Sequence, residues 1–347
     1  MRCTLIVNRQ AGRKGGVPVN FGTADDALAA LATHGIVPAV AETARPGHAT
    51  ELARAAALAG DDVVIAAGGD GTVREAAIGL IGSRVPLGVM PLGSVMNVAH
   101  MLGIPRDPQG AAAIIAAGAC AEIDVGRAGG TRQTYFLEAA GVGIDAALFA
   151  YGNAIDAGRW GAVWGALRLA LRYRPRRIVL ELDGWRVELP ALMVSVANGP
   201  FCGAGLRVAP EARVDDHRFD VRVFGPMPKA ALLRSLARPE DNALGRSEGR
   251  EGREGREGRE GREGREGREG REGQIYTFRA RDVRIAAPRG PLPGHADACP
   301  LGSTPLRFSL LPGALRVLVG SSAALAGESH TLASANPQAP SHPTPMQ

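Results

Sequence analysis

The sequence predicts an α/β domain followed by a mainly antiparallel β domain, with a cleft between the two. From residue 2 to about residue 124, apolar strand patterns alternate with helical patterns, which is typical of a parallel sheet covered by helices. After Asp124, short strand patterns follow one another with few helices between them, which favours antiparallel sheet. A chain of 347 residues is long enough for two such domains.

The elements of the first half are predicted from their hydrophobic period. Arg2 to Asn8 has the pattern of a first strand and not that of a signal peptide. The predicted strands are 3–7, 36–41, 62–67 and 86–90, and the predicted helices are 22–33, 47–59, 72–81, 94–102 and 108–118.

The second half is predicted in the same way. Trp185 follows Asp183 and Gly184, as expected at the turn of a hairpin. Helices are predicted at 144–171 and 228–237. The predicted strands are 134–142, 176–183, 185–190, 191–198, 219–224, 276–287, 290–296 and 304–310.

Composition excludes several classes of protein. The net charge is +5, and this mild basic excess is compatible with phosphate ligands or an anionic membrane but requires neither. The sequence has no recognisable nucleic-acid-binding module. The four cysteines are widely scattered without zinc spacing, so a reducing cytoplasmic compartment is expected. No apolar run reaches the length of a membrane span.

The most informative segment is Val63 to Ala76. A run of small and β-branched residues ends in the turn Gly-Gly-Asp-Gly-Thr at 68–72 and continues as a helical pattern. The N–H groups of such a turn, with the positive end of the helix dipole, form a site for phosphate. An ordinary strand-to-helix turn is the alternative. Asp70 would either face a magnesium ion or hold the loop by accepting N–H bonds.

Two more turns fall at the ends of predicted strands, namely Asn8 to Gly12 and Pro91 to Ser94. Ligands of parallel sheets bind at the carboxyl ends of the strands. We therefore expect the three turns to converge, which is a stronger signal than any one of them.

Two segments are predicted to be disordered. The insertion 247–273 contains eight Glu-Gly-Arg triplets at 248–271, whose period matches neither a helix face nor a strand. The tail 321–347 is rich in Ser, Ala, Pro and His.

The three turns belong to a longer series of motifs along the chain. These motifs lie at 8–12, 42–49, 68–75, 90–94, 138–146, 197–199, 209–216, 304–306 and 314–318. Together they resemble the diacylglycerol kinase catalytic-domain family, and in particular its soluble bacterial lipid kinases. The resemblance covers nearly the whole chain except the repeat and the tail. It implies the domain pair found in diacylglycerol kinases and NAD kinases.

The resemblance implies a nucleotide-binding domain at 1–124, to which 312–320 returns, and a lipid-substrate domain at 125–311. ATP and the lipid headgroup would meet in the cleft. The residues implied to hold ATP are Asn8, Arg9, Gln10, Ala11, Gly12, Thr43, Gly68, Gly69, Asp70, Gly71, Thr72, Val73, Arg74 and Ser94.

The resemblance also implies a structural Mg²⁺ in the second domain. The implied ligands are Asp216 and the backbone carbonyls of Arg213 and Arg218, with Asp70 and Asp124 linked through water. An oxygen-rich site of this kind suits a hard cation. From the residues alone, the Asp215-Asp216 pair could equally cap a turn.

The family carries an Asp-Gly-Glu triplet that serves the substrate hydroxyl, and its counterpart here is Asp297-Ala298-Cys299. We expect Asp297 to be the proton acceptor. If the missing glutamate performs this step in the family, the chain would be impaired, because a neutral thiol accepts protons poorly. His295 would either assist or lie exposed on a hairpin.

A second departure lies at 94–97, where the family usually has Thr-Gly-Asn-Asp. Ser94 keeps the hydroxyl, whereas Asn97 replaces an aspartate associated with the acceptor lipid. Asn97 is therefore the expected substrate contact, and the identity of the lipid stays open.

Aromatic residues and arginines cluster near the predicted helix end, at Trp160, Trp164, Arg168, Arg172, Tyr173, Arg174, Arg176 and Arg177. This cluster suits an anionic membrane interface, and a solvated helix end is the alternative.

The predicted function is an ATP- and Mg²⁺-dependent lipid kinase that phosphorylates a diacylglycerol-like hydroxyl. It would act in the cytoplasm at the inner membrane face, without nucleic acid, and a homodimer is compatible with this function. One alternative is another small-molecule kinase of the superfamily, such as NAD kinase, which shares the turn at 68–72. The other is a catalytically impaired lipid- or nucleotide-binding protein.

Overall fold

The computed structural model describes most of the chain. The predicted site residues Gln10, Ala11 and Gly12, as well as Trp160, Ala298, the triplet repeat and the tail, lie outside the described part. The described residues are 1–9, 13–14, 17–18, 22–130, 133–156, 161–203, 205–237, 275–297 and 299–320.

The first half alternates strands and helices, as the sequence predicted. Local signals fix several ends: Thr23 and Asp26 form a capping box at the first helix, and Asp107 caps the fifth. The elements are β1 Cys3–Val7, β2 Arg13–Lys14, β3 Val17–Pro18, α1 Ala24–Thr33, β4 Ala39–Glu42, α2 His48–Leu58, β5 Val63–Gly68, α3 Asp70–Leu80, β6 Leu87–Pro91, α4 Asn97–Met101 and α5 Pro108–Ala117.

The second half consists mostly of strands. Its elements are β7 Cys120–Gly129, β8 Gln133–Phe136, β9 Ala139–Gly143, α6 Ile144–Asp156, α7 Ala162–Arg172, β10 Arg176–Leu182, β11 Trp185–Ala191, β12 Met193–Ala197, β13 Phe201–Cys202, β14 Leu206–Arg207, β15 Phe219–Phe224, α8 Lys229–Ala237, β16 Ile275–Ala280, β17 Asp282–Ala286, β18 Pro293–Ala296, β19 Cys299–Ser303 and β20 Leu306–Leu318.

A mixed sheet runs through both halves in the order β11-β10-β17-β20-β6-β5-β1-β4, with β7 and β8 attached through β20. The strands β4, β1, β5 and β6 are parallel neighbours. β20 joins β6 in parallel through Val317 and Leu87, while it pairs antiparallel with β7 and β17. This long strand therefore links the parallel part of the sheet to the antiparallel part.

A second, antiparallel sheet has the order β16-β15-β12-β9-β18-β19. It packs on the antiparallel part of the mixed sheet around three phenylalanines. The ring of Phe136 stacks on Phe219 at a centroid distance of 5.5 Å and meets Phe308 edge-on at 6.4 Å. A separate core of Val, Ile, Leu and Ala side chains fills the space between the parallel strands and their helices. The predicted fold class is thus confirmed.

Three predicted elements are each divided in two. The strand expected at 134–142 is divided into β8 and β9, which belong to different sheets. The strand expected at 276–287 is divided into β16 and β17, which belong to different sheets, because Asp183 accepts the N–H groups of Arg281 and Asp282. The helix expected at 144–171 is divided into α6 and α7. An apolar period shows that a segment packs on a core, but it does not show which of the two sheets around that core the segment joins.

Two glycines on β7 provide a test of the aromatic core. A Cβ at Gly126 would lie 2.2 Å from the Phe136 ring, whereas a Cβ at Gly129 would lie 3.8 Å from its nearest neighbour, the carbonyl oxygen of Arg307. We expect Gly126→Ala to lower the free energy of unfolding by about 1–3 kcal/mol, because Phe136 must shift. Gly129→Ala should change it by less than about 0.5 kcal/mol. Urea denaturation of both variants measures this, and equal losses would contradict the packing described.

Candidate functional site

The loops that follow β1, β5 and β6 meet at one edge of the mixed sheet. The N–H of Asn8 donates to Ala67 O at 3.0 Å, and the N–H of Leu92 donates to Gly68 O at 3.0 Å. A Cβ at Gly93 would lie 2.7 Å from the Cα of Gly69, so these two backbones touch. Two of the three predicted turns are therefore in contact, and the third begins beside them at Asn8.

Asn8 and Thr72 are joined within this edge. The Nδ2 of Asn8 donates to Oγ1 of Thr72 at 3.2 Å. A Cβ at Gly68 would lie 2.6 Å from Oγ1 of Thr72, so a glycine is required here to make room for the threonine. The helix α3 starts immediately afterwards, with Gly69 as N-cap and without a side-chain cap. Its positive end lies at the loop edge, where it favours an anion.

Asp70 holds the neighbouring loop. Its carboxylate accepts the N–H groups of Met96 at 2.9 Å and Val98 at 3.1 Å. Met96 has a positive φ of 58° and is the N-cap of α4, which explains why this turn needs an external acceptor. Burial raises the pKa of Asp70, and the N–H donors oppose that effect. Of the two roles considered for Asp70, loop support is the one that the hydrogen bonds show.

The other residues predicted to bind the nucleotide differ in which of their atoms are available to a ligand. The N–H of Thr43 donates to Val7 O at 2.9 Å, which places Thr43 at the same edge. Arg9 is exposed and pairs with Glu42 at 2.6 Å. Val73 is buried in the core, so only its backbone is available to a ligand. Ser94 is half-buried, and Gly71 has open space beside it.

Arg74 connects this edge to the second half of the chain. Its Nε donates to Tyr135 O at 2.9 Å, and its guanidinium also contacts the hydroxyl of Thr134. The same Nε lies 3.5 Å from Oδ2 of Asp297. Arg74 is thus a partly buried cation that connects α3 to β8 and to the predicted proton acceptor.

Asp297 is buried and bound by main-chain donors. Its Oδ2 accepts the N–H of Leu137 at 2.9 Å, and its Oδ1 accepts the N–H groups of Glu138 at 3.0 Å and Ala139 at 3.3 Å. Burial raises the pKa of Asp297, while these N–H donors and Arg74 favour its charged form. The carboxylate therefore fixes the bend that connects β8 to β9.

Glu138 lies in that bend and was missed as a site residue. Its side chain is 5% exposed, and Oε2 accepts the Nδ2 of Asn97 at 2.6 Å. Asn97 also donates to Gly203 O at 2.9 Å. Burial raises the pKa of Glu138 well above its usual range, and the negative charges of Asp297 and Asp70 raise it further. The sequence signal that could have identified Glu138 is a carboxylate within the otherwise apolar segment 136–140.

His295 is not the exposed hairpin residue that one alternative expected. It is 2% exposed, its Nε2 lies 3.2 Å from Oδ2 of Asp145, and its ring packs on Phe149. β18 is paired on both sides, with β9 and β19, which explains this burial. Cys299, where the family has glutamate, is half-buried at the start of β19.

The turn predicted to hold a metal contains Arg213, Asp216 and Arg218. The carboxylate of Asp216 accepts the N–H of Arg218 at 3.2 Å and pairs with Arg279. Among the described residues, no group of three or more His, Cys, Asp or Glu side chains could hold a metal ion. A Mg²⁺ site here would thus depend on backbone carbonyls, and the ion would replace the Arg279 guanidinium at Asp216.

Asp124 is fully buried and supports the same turn. Its Oδ2 accepts the N–H of His217 at 2.7 Å, and its Oδ1 accepts the N–H of Gly313 at 2.8 Å and contacts the His217 ring. Asn198 donates to the carbonyl oxygens of Asp124 and Leu137, both at 3.0 Å. These contacts connect the metal turn, β20 and the Glu138 bend.

Comparison with known proteins identifies the family. Residues 2–128 match the family model described as the diacylglycerol kinase catalytic domain, and residues 139–244 match that of the YegS C-terminal NAD kinase beta sandwich-like domain. A relative named probable lipid kinase YegS-like, from Klebsiella pneumoniae strain 342, is 30% identical over 224 residues, which are 62% of this chain and 74% of the relative. The chain belongs to the diacylglycerol kinase family.

Other members of the diacylglycerol kinase family are similar over comparable lengths. A diacylglycerol kinase from Bacillus subtilis strain 168 is 31% identical over 196 residues, which are 54% of this chain and 63% of that protein. A crystal structure described as a diacylglycerol kinase from Bacillus anthracis strain Sterne gives a TM-score of 0.64 at 21% identity, covering 92% of this chain and 97% of that one. The latter likeness shows the fold. The family resemblance expected from the motifs is confirmed.

The contact between Gly69 and Gly93 provides a test of the loop edge. We expect Gly93→Ala to lower the free energy of unfolding by about 1–3 kcal/mol, because the new methyl group would overlap the other loop. Gly71→Ala is the control, since no atom lies within 4 Å of a Cβ there. Thermal denaturation compares the two variants. A Gly93→Ala protein as stable as Gly71→Ala would contradict the close approach of the loops.

Proposed function

We propose that this member of the diacylglycerol kinase family transfers the γ-phosphate of ATP to the hydroxyl of a diacylglycerol-like lipid. The observation that carries the proposal is the junction between the loop edge and the carboxyl cluster. Arg74 lies 3.5 Å from Asp297, and Asn97 lies 2.6 Å from Glu138. Phosphoryl transfer requires a phosphate cradle beside a group that orients a hydroxyl, and the junction offers both.

We propose that the nucleotide binds at the edge of the mixed sheet where the loops after β1, β5 and β6 meet. Backbone N–H groups at the start of α3 and the helix dipole would hold the phosphates, since the sequence has no Walker A lysine loop. The hydroxyl of Thr72 and the amide of Asn8 are already oriented toward each other there. Thr43, Ser94 and residues 10–12, which lie outside the described part, complete the proposed nucleotide site.

We propose that the acceptor lipid binds around Asp297, Asn97 and Glu138. These side chains come from both halves of the chain, and burial strengthens their electrostatic effect on a reacting hydroxyl. We assign residues 1–124 with 312–320 to nucleotide binding and residues 125–311 to lipid binding. The pairing of Val317 with Leu87 supports this assignment of 312–320.

Mg²⁺ is proposed to bind at Asp216 and the carbonyl oxygens of Arg213 and Arg218. The donors of this turn are hard oxygen atoms, which is the ligand type that Mg²⁺ prefers. A bound ion would supply positive charge to the turn in place of Arg279. Asp124 would keep the turn fixed against β20 through its bonds to His217 and Gly313.

The helix α7 is proposed to contact the membrane. Its exposed apolar side chains Trp164, Leu167 and Leu171 recur at helical spacing, and Arg168 and Arg172 are exposed on the same helix. No described helix is long and apolar enough to cross a bilayer. An apolar stripe flanked by arginines suits the surface of an anionic membrane, and we place the enzyme at the cytoplasmic face.

A transfer assay tests the proposed reaction. With radiolabelled ATP and Mg²⁺, we expect label in a diacylglycerol-like member of a lipid panel and none in NAD, and chelation of Mg²⁺ should abolish transfer. Asp297→Asn should lower transfer about 100-fold, because it disturbs the carboxyl cluster. Glu181→Gln, on the distant strand β10, should leave it unchanged.

Two results of this assay would contradict the proposal. Label in NAD but in no lipid would favour a small-molecule kinase of the same superfamily. Binding of ATP without transfer to any acceptor would favour a lipid- or nucleotide-binding protein.

Vesicle sedimentation tests the proposed membrane contact. The double variant Leu167→Ser, Leu171→Ser should bind phosphatidylglycerol-containing vesicles at least about 10-fold more weakly, because each buried leucine contributes about 1.5–3 kcal/mol. Val37→Ser with Leu58→Ser is the matched control, since both side chains are 84% exposed elsewhere. Equal binding by the two double variants would contradict a role for α7.

A further inference from the structure

A base is needed near the acceptor hydroxyl, and the structure offers more than one carboxylate. Asp297 is the residue retained from the family triplet, while Cys299 replaces its glutamate. Glu138 stands beside Asp297 but belongs to another segment of the chain. The hydrogen bonds and charges around these groups distinguish their roles.

Both oxygens of Asp297 are already occupied. Three main-chain N–H groups donate to them, those of Leu137, Glu138 and Ala139. The Nε of Arg74 donates to Tyr135 O and lies 3.5 Å from Oδ2 of Asp297 as a charge partner. Protonation of Asp297 would weaken the bonds that hold the bend at 137–139, because N–H groups bind a charged carboxylate more strongly than a neutral carboxyl group. These N–H donors and Arg74 favour the charged form of Asp297 and oppose the rise in its pKa that burial causes. Its contacts suit a role in positioning.

Glu138 is placed differently. Its backbone carbonyl accepts the N–H groups of Asn198 and Gly199, both at 2.9 Å, which fixes the position of its Cα. Its side chain extends to Asn97, the residue expected to contact the lipid. Gly203, whose carbonyl oxygen also accepts the Nδ2 of Asn97, is half-buried beside the cluster.

We propose that the side-chain carboxylate of Glu138 accepts the proton of the lipid hydroxyl during phosphoryl transfer, and that Asp297 is a positioning residue. The proposal rests on the proposed function. As the hydroxyl oxygen forms its bond to the γ-phosphorus, its proton passes to Glu138. The bond from the γ-phosphorus to the β–γ bridging oxygen breaks, and its electron pair leaves with ADP. Glu138 then releases the proton to water.

The electrostatic surroundings agree with this role. The charged or titratable groups facing Glu138 are Asp70 and Arg74 from α3, Asp297 after β18 and Cys202 on β13. Burial and the two aspartates raise the pKa of Glu138, while Asn97 and Arg74 oppose the rise. A base whose pKa approaches the working pH is effective in general catalysis. Burial and nearby carboxylates raise the pKa of Cys202, which therefore stays a neutral thiol.

The pH dependence of lipid phosphorylation tests the proposal. Glu138→Gln keeps an acceptor for Asn97 but should lower kcat about 100-fold or more, with little change in the KM for ATP, and should remove the acidic limb of the pH–rate profile. Asp297→Asn should keep that limb and move its midpoint to lower pH, because the negative charge that raises the pKa of Glu138 is gone. Glu181→Gln should behave as the wild type.

Thermal stability provides a readout that does not depend on turnover. Because the folded-state pKa of Glu138 is raised, its carboxyl destabilises the fold increasingly as pH rises from the unfolded-state pKa through the folded-state pKa. The melting temperature of Glu138→Gln relative to the wild type should therefore increase as pH rises above the usual pKa range of a glutamate. If Glu138→Gln does not fold, Glu138→Asp replaces it, and it should keep the acidic limb with a reduced kcat.

The outcomes separate this inference from the proposed function. A wild-type protein that phosphorylates no lipid overturns both. A wild-type protein that phosphorylates lipid overturns only the role of Glu138 if Glu138→Gln keeps full kcat and an unchanged acidic limb. Loss of the acidic limb in Asp297→Asn, with retention in Glu138→Gln, also overturns it and assigns the proton to Asp297.

Discussion

The irregular segments around the cleft depend on aspartates that accept main-chain N–H groups. Buried N–H groups outside helices and strands need an acceptor, and an ionised carboxylate is the strongest one available. In the described part of the chain, Asp70 serves the turn before α4, Asp124 serves His217 and Gly313, and Asp297 serves the bend at 137–139. Each of these aspartates lies far in sequence from at least one segment that it holds. The cleft is therefore assembled only when both halves of the chain have folded.

This arrangement changes how the carboxylates near the cleft are understood. An acidic residue in a glycine-rich or family motif suggests a metal ligand or a base, yet the carboxylates of Asp70 and Asp297 accept main-chain N–H groups. Glu138 is held in a bend that Asp297 stabilises, and its own carboxylate contacts an amide side chain from the other half. Burial and like charges act against ionisation of Glu138. In the mechanism we propose, this buried cluster contains one carboxylate that supports the bend and another that exchanges a proton.

Predictions from sequence succeeded where one local pattern had one structural outcome. The strand at 3–7 and the turn at 68–72 are examples, because a short apolar run followed by glycines leaves few alternatives. The strand at 276–287 failed, because Asp183 divides it between two sheets. The sequence left the exposure of His295 undecided, and its burial follows from the position of β18 between β9 and β19. Glu138 was not predicted to be a site residue, because its role depends on contacts with Asn97 and Asp297, which are distant in the chain.

The sequence by itself determined the fold class, the family and the glycine turns at the strand ends, because each depends on residues that are close together in the chain. The tertiary structure alone decided that Gly69 touches Gly93, that Arg74 reaches Asp297 and that Glu138 meets Asn97. These contacts join segments from different elements, and no local period encodes them. Their energies also depend on burial, which sets the strength of each charge and exists only in the packed molecule.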